Sequence, residues 1–354
     1  MKKEPLKGAL PPHLLAELPP ETPVLLALSG GADSTALLHL LSCQREKYGF
    51  PLVAAHVNHG IRGADAVHDA EFCSALAAEF GVPLFLKEAD VPSMVRASGR
   101  SVEEEARLCR YSFFSDLMER ENFPILVTAH HADDQAETVL FRLSRGTGLH
   151  GLCGISPCRA FGTGVLVRPL LHCTRQEILS YCDRNRLSYV EDATNADISY
   201  ARNRIRQKIL PELEALFERP QERIAAMCDT LREDEAFLIS VAETTLRELG
   251  AGEPLCLDLK RLNQTALPIR RRVLLLWVEQ VGGRGAERVH LEALLHLCEA
   301  RRDGEEVLLP GKLLAFTQDG FLCARRGTRC ERTPAVTNPE IPSAHHSAKE
   351  NNGI

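Results

Sequence analysis

Ser29-Gly30-Gly31-Ala32-Asp33-Ser34 stands directly after an all-apolar stretch, Val24 to Leu28, and directly before Leu37, Leu38, Leu40 and Leu41 at helical spacing. Two glycines let a backbone come close to a phosphate, and the amides opening the following helix point at it with a favourable dipole. Ser29 and Ser34 add hydroxyl groups. The segment lacks the Gly-Lys-Ser/Thr ending of a Walker A loop, so a kinase-like or GTPase-like site is not supported. The plainer alternative is a strand-to-helix turn with Asp33 as the helix cap. The strand, the helix and the acid taken together favour phosphate binding.

Other segments carry comparable density. His56-Val57-Asn58-His59-Gly60-Ile61-Arg62 puts polar side chains where the base and ribose of a nucleotide would lie; its plain alternative is a glycine-turned surface loop. Thr128-Ala129-His130-His131-Ala132-Asp133-Asp134-Gln135-Ala136-Glu137-Thr138 crowds two imidazoles and three carboxylates into the start of a helix. There Asp134, Glu137 and Thr138 share a face at i, i+3 and i+4, which suits an ammonium group. A divalent metal site and simple capping by Asp133 are the alternatives. Glu103 to Tyr111 sets Arg107 and Arg110 on one side of a helix. Arg168-Pro169-Leu170-Leu171, Glu191-Asp192-Ala193-Thr194-Asn195 and Tyr200-Ala201-Arg202-Asn203-Arg204-Ile205-Arg206 follow. Arginines at alternate positions cannot share one helix face, and spread charge suits a phosphate-rich strand or a nucleotide as well as it suits a solvated helix.

The elements that must position these groups alternate short apolar runs with longer amphipathic stretches, the pattern of successive βαβ units. Strands are expected at Val24 to Leu28, Leu52 to Val57, Pro83 to Leu86 and Ile125 to Thr128, with helices opening near Asp33, Asp65 and Ser101. The fold class is therefore α/β with a doubly wound, mostly parallel sheet, and ligands belong beyond the carboxyl ends of its strands. Capping boxes are expected at Ser101 with Glu104 and at Thr174 with Glu177. A basic helix is expected from Tyr200 to Pro211, and a long one from Gln221 to about Leu249. Helices near Leu267 to Val281 and Glu287 to Arg301 and a β-hairpin over Glu306 to Ala324 complete a smaller, mainly helical domain. The expected division is 1–215 for the α/β domain, 216–328 for the helical domain with its hairpin, and 329–354 for a disordered tail.

Composition narrows the class. The 354 residues exceed one ordinary core, and 44% hydrophobic with 25% charged residues is the balance of a globular protein. No apolar run approaches the roughly 20 residues of a membrane span, and Lys2 and Lys3 precede a proline-broken stretch, so a cytoplasmic protein is expected. The 12 cysteines form no CxxC pair and read as reduced, mostly buried thiols. A net charge of −6 leaves RNA binding to local basic patches, Arg202 to Arg206 and Arg270 to Arg272 among them.

The SGGADS segment resembles the pyrophosphate loop of the ATP-pyrophosphatase superfamily. The motifs together, in this order from about Val24 to Leu213, resemble the tRNA(Ile)-lysidine synthetases. The resemblance implies that ATP adenylates the C2 oxygen of the wobble cytidine of a CAU-anticodon tRNA(Ile), and that L-lysine then displaces AMP at C2. It implies pyrophosphate binding by Ser29, Gly30, Gly31, Ala32, Asp33 and Ser34, nucleotide contacts from His56 and Asn58, and Mg²⁺ on Asp33. It assigns the lysine substrate to Asp134 and Glu137, the nucleotide transfer step to His130, and phosphate or base contacts to Arg110 and Arg202. A homodimer is the assembly it suggests, and no further domain is evident beyond the hairpin. Two other readings remain: a tRNA 2-thiolase, disfavoured by the cysteine spacing, and a regulatory module that senses ATP without chemistry, disfavoured by the second polar pocket.

Overall fold

The computed structural model describes residues 21–61, 64–190, 201–251, 255–283, 285–300 and 305–327. The segment 191–200, Arg62 and the expected tail 329–354 lie outside them. The chain divides into two compact units, Met1–Glu235 and Ala236–Ile354.

The first unit runs β1 (Val24–Ala27), α1 (Ala32–Tyr48), β2 (Leu52–Asn58), α2 (Ala64–Glu79), β3 (Leu84–Glu88), α3 (Val91–Ser98), α4 (Val102–Arg120), β4 (Ile125–Val127), α5 (Ala132–Ser144), α6 (Leu149–Leu152), β5 (Cys158–Phe161), β6 (Gly164–Val167) and α7 (Arg175–Asn185). After these come α8 (Ala201–Arg204), a π-turn (Ile205–Ile209), α9 (Leu210–Leu216) and α10 (Pro220–Leu249). Six strands form one sheet in the order β3-β2-β1-β4-β6-β5. All neighbours are parallel except β5 and β6.

β1 is apolar at every position because helices cover both faces of the sheet. Val24 and Leu26 join Leu37, Leu41 and Ile178 in one core layer. Leu25, pointing the other way, joins Phe114, Leu117, Met118 and Leu126 in the second. The doubly wound arrangement expected from the alternation is thus present. Helix starts follow local chemistry. Thr174 and Glu177 form the expected reciprocal box, with Glu177 N–H donating to Thr174 Oγ1 at 3.2 Å and Thr174 N–H to Glu177 Oε2 at 2.8 Å. Ser101 Oγ accepts from Glu104 N–H at 3.2 Å.

Two local expectations differ. The β5–β6 hairpin, four residues a side, is too short to show an apolar period and is not anticipated. The basic helix expected over Tyr200 to Pro211 is present as one continuous run through α8, the π-turn and α9, differing only in the π-turn inside it, with Tyr200 itself outside the described residues.

The second unit holds the end of α10, β7 (Gly250–Ala251), β8 (Cys256–Asp258), α11 (Leu259–Gln264), α12 (Leu267–Gln280), α13 (Arg288–Ala300), β9 (Glu306–Leu309), β10 (Leu313–Gln318) and β11 (Phe321–Arg326). The expected hairpin is part of an antiparallel five-stranded sheet, β7-β8-β11-β10-β9. Its helices bury Trp277, Leu274, Leu294 and Leu297 against Leu313 and Leu322. Trp277 Nε1–H donates to Leu255 O at 2.9 Å, so the largest core side chain is also polar-satisfied. The β8–β11 register, with Leu322 opposite Leu257, brings Cys323 to Cys256, and the two are disulfide-bonded. This corrects the reading of all thiols as reduced. Arg270 is one of the arginines set aside for an RNA surface. It donates to Asn263 O at 2.8 Å and Thr265 O at 3.1 Å, which pins the α11–α12 connection.

Leu26→Ala removes a fully buried side chain from the central strand. It should lower the unfolding free energy by about 3 kcal/mol in a guanidinium titration. Leu86→Ala, at a residue 46% exposed, should change it by less than about 0.5 kcal/mol.

Candidate active site

Strand order reverses between β1 and β4, with β2 and β3 on one side and β6 and β5 on the other. Loops leaving the carboxyl ends on either side of such a switch part and leave a crevice. Here it is a cleft of about 420 Å³, lined among others by Ser29, Asp33, Ser34, His56, Asn58, Arg110, His130 and Asp134.

The glycine loop is tied to itself. Ser34 Oγ accepts from Ser29 N–H at 3.1 Å and donates to Gly31 O at 3.0 Å. Gly30 has φ +84°, and a Cβ there would lie 3.0 Å from Cys73 Sγ, so both backbone and space demand glycine. Its carbonyl accepts from Val190 N–H at 3.0 Å. Gly31 is the N-cap of α1, with no side chain capping it, so Asp33 is free of the capping role. Asp33 instead pairs with Arg175 at the start of α7 and stands 3.8 Å from His131 Nε2.

Adjacent histidines are in opposite states. His130 Nδ1 meets Thr128 Oγ1 at 2.9 Å. Burial, reinforced by Arg168, Arg110 and Arg107 against the pull of Asp134, pushes its pKa down to about 4, so it is neutral near pH 7. Burial would also lower His131, but Asp134, Asp133 and Asp33 outweigh it and hold that ring at about 9, an imidazolium. Its nitrogens lie 3.4 Å from Asp133 Oδ2 and 3.5 Å from Asp134 Oδ2. Environments that drive neighbouring groups apart in this way are a mark of acid–base and binding sites.

Asp133 does not cap its own helix. Its Oδ2 accepts from the N–H of Arg175 at 2.8 Å, at the first residue of α7. Asp134 accepts from His131 N–H at 3.0 Å. Burial would raise the pKa of Asp134, but His131, His130, that N–H and Arg206 keep it below the ordinary carboxylate value. Glu137, one turn on and buried, is raised by burial although Arg206 opposes the shift. The guanidinium of Arg206 donates Nε–H to Glu137 Oε1 at 2.5 Å and Nη2–H to Glu137 Oε2 at 3.2 Å, and reaches Asp134 Oδ1 at 3.3 Å.

His56 is buried with Nδ1 2.9 Å from Leu28 O; a carbonyl only accepts, so Nδ1 carries the proton. Burial lowers its pKa, which leaves Nε2 as an acceptor. Asn58 Oδ1 takes the N–H of Gly60 at 3.0 Å, so its side chain also shapes the loop. Arg202 is outside the described lining, its guanidinium 5.9 Å from the Phe141 ring and 3.9 Å from Glu103. His131, Arg175 and Arg206 are the participants that sequence reasoning passes over. Two of them lie inside quoted motifs, but their partners are distant in the chain. Arg175 gives no local sign at all.

Comparison with known proteins matches residues 12–213 to the PP-loop domain family and 257–326 to the TilS substrate binding domain. The chain is 35% identical to a tRNA(Ile)-lysidine synthase of Solibacter usitatus, over 94% of this chain and 73% of that one. It is 36% identical to those of Geobacillus kaustophilus, over 81% and 63%, and Bacillus subtilis, over 70% and 53%. The chain thus spans between about half and two thirds of the length of the latter two relatives. The U34-tRNA thiolase of Methanococcus maripaludis shares the fold at a TM-score of 0.51 and 19% identity, over 61% of this chain and 73% of that one.

The folded pKa of His131, about 9, stands above its ordinary 6.5, so its contribution to stability is complete below pH 6.5 and is lost as pH rises to 9. With metal chelated, the stability gap between wild type and His131→Gln should be on the order of 2 kcal/mol at pH 6. It should shrink steadily toward pH 9 in thermal melts. A gap independent of pH would show that His131 is not charged.

Proposed function

As the chain belongs to the tRNA(Ile)-lysidine synthase family, we propose that it joins L-lysine to C2 of the wobble cytidine of a CAU-anticodon tRNA(Ile), consuming ATP and releasing AMP and pyrophosphate. What carries the reading is the pair Asp134 and Glu137 beside the phosphate loop. It already engages a cationic side chain, and a lysine substrate offers the same charge.

The cytosine C2 oxygen leaves poorly as water. Transfer of the adenylyl group to that oxygen, with loss of pyrophosphate, makes AMP the leaving group. The amine then forms the C–N bond as the C–O bond breaks, and its proton must pass to a base. In this reading the loop amides from Ser29 to Ser34 receive the pyrophosphate, their approach opened by Gly30. Neutral His130, oriented by Thr128, borders the transferring group. Arg110 and Arg202 offer guanidinium to phosphate or base. His56 and Asn58 contact the nucleotide. The second unit, including residues 257–326, holds tRNA. The same reading sets the enzyme in the cytoplasm with its tRNA.

Among the described residues no group of three or more His, Cys, Asp or Glu side chains is arranged to hold a metal. Asp33 alone fits an ion that completes its shell with phosphate oxygens and water, as Mg²⁺ does. One of its oxygens is engaged by Arg175 while the other stands 3.8 Å from His131. Bound there, Mg²⁺ would neutralise charge on phosphate oxygens.

The test is incubation with ATP, Mg²⁺, labelled lysine and a CAU-anticodon tRNA(Ile) transcript, followed by digestion to place the label. Label at the wobble cytidine is expected, with Asp33→Ala abolishing it. Glu137→Gln should lower incorporation by at least about tenfold at limiting lysine, while tRNA-dependent pyrophosphate release persists. Pyrophosphate and AMP without label would sink lysine as the nucleophile and bring thiolation forward.

A further inference from the structure

The two carboxylates read as the lysine subsite already have every oxygen engaged by the chain itself. Glu137 gives both oxygens to Arg206, Asp134 gives Oδ1 to the same guanidinium, and Asp134 Oδ2 accepts the His131 N–H. The Glu137 side chain is only 5% exposed, so water does little to screen what sits beside it. An ammonium entering this space would meet a like charge a few ångströms away, in a setting where water screens the repulsion little. The acids hold one cation well and two badly.

The residue that fills the space is carried on an irregularity of its helix. Arg206 is the second residue of the π-turn Ile205–Ile209, set between α8 and α9. A π-turn accommodates a surplus residue within a helical run and recurs at functional sites. Its relaxation re-registers the side chains it carries. The Arg206 side chain is also 38% exposed, so it borders solvent.

We propose that Arg206 is an internal stand-in for the lysine cation, occupying the amine subsite in the free protein and yielding it when a phosphodiester of bound RNA draws the guanidinium away. The proposal rests on the assignment of Asp134 and Glu137 to lysine. It makes lysine capture depend on RNA: affinity in the free protein is reduced by the fraction of molecules in which Arg206 has withdrawn. The RNA is suited to the task because a guanidinium pairs bidentately with phosphate.

Equilibrium dialysis of radiolabelled L-lysine against the full chain without tRNA tests this. Arg206→Gln, near in volume but uncharged, should bind lysine at least tenfold more tightly than wild type, and Arg206→Lys should not, because its own ammonium refills the space. Added tRNA should tighten lysine binding to wild type and leave Arg206→Gln nearly unchanged. Ethylguanidinium, a fragment of the lost side chain, should compete with lysine in Arg206→Gln. Thermal melts verify that both variants fold, and Arg206→Ala serves if Arg206→Gln does not. A folded, uncharged variant that binds lysine no more tightly than wild type would overturn the proposal and make Arg206 a wall of the site. Failure of the function itself reads differently: wild type would then place no lysine on tRNA, whatever Arg206 does.

Discussion

A buried imidazolium holds this site together. His131, the N-cap of α5, has Asp33 of α1 and Asp134 of α5 at its Nε2 and Asp133 at its Nδ1. Each of those acids would resist burial alone. Arg175 completes the arrangement by pairing with Asp33 through its side chain and with Asp133 through its backbone N–H, which anchors α7 to the same cluster. The glycine loop, the acidic helix and α7 are therefore positioned by one shared charge balance.

The cleft mixes neutral imidazoles with acids. His56 has its proton committed to Leu28 O, and His59 and His130 are both driven down to about 4. The arginines that help to depress them, Arg110 and Arg168, are themselves pressed downward by burial. A partly desolvated guanidinium pairs strongly with an anion. Asp33, Asp69 and Asp134 line the same cleft, and Asp33 and Asp134 are answered by cations of the chain, so local charge there departs from the net −6 of the whole.

Much of this was legible residue by residue. Val24 to Leu28 reads as a strand covered on both faces because no polar position interrupts it, and Leu25 indeed faces the opposite core layer from Val24 and Leu26. Thr174 and Glu177 mark a helix start by local hydrogen bonding alone. The density of acids in 133–137 marks a charged cluster for the same local reason, and Asp133 and Asp134 do gather at His131. What stays hidden depends on distant partners. Nothing near His130 and His131 tells which is charged, since the answer lies partly with Asp33, and Arg206 is marked as basic without any sign that it serves Glu137. The π-turn and the two- and three-residue strands β7 and β8 are likewise products of packing, too short to carry a period of their own.

The parallel order of the sheet also fixes a sequence of events during synthesis. Val24 pairs with Ile125, so the central strand lacks one neighbour until β4 has left the ribosome. Asp33 is already out by then; the imidazole at 131 and the acids at 133, 134 and 137 emerge next, but Arg175 and Arg206 come later. A nascent chain thus passes through a stage in which its most buried carboxylates outnumber their counter-ions. The cleft can close fully only from the carboxyl side of this unit, so the site is among the last parts of the nucleotide-binding unit to become native.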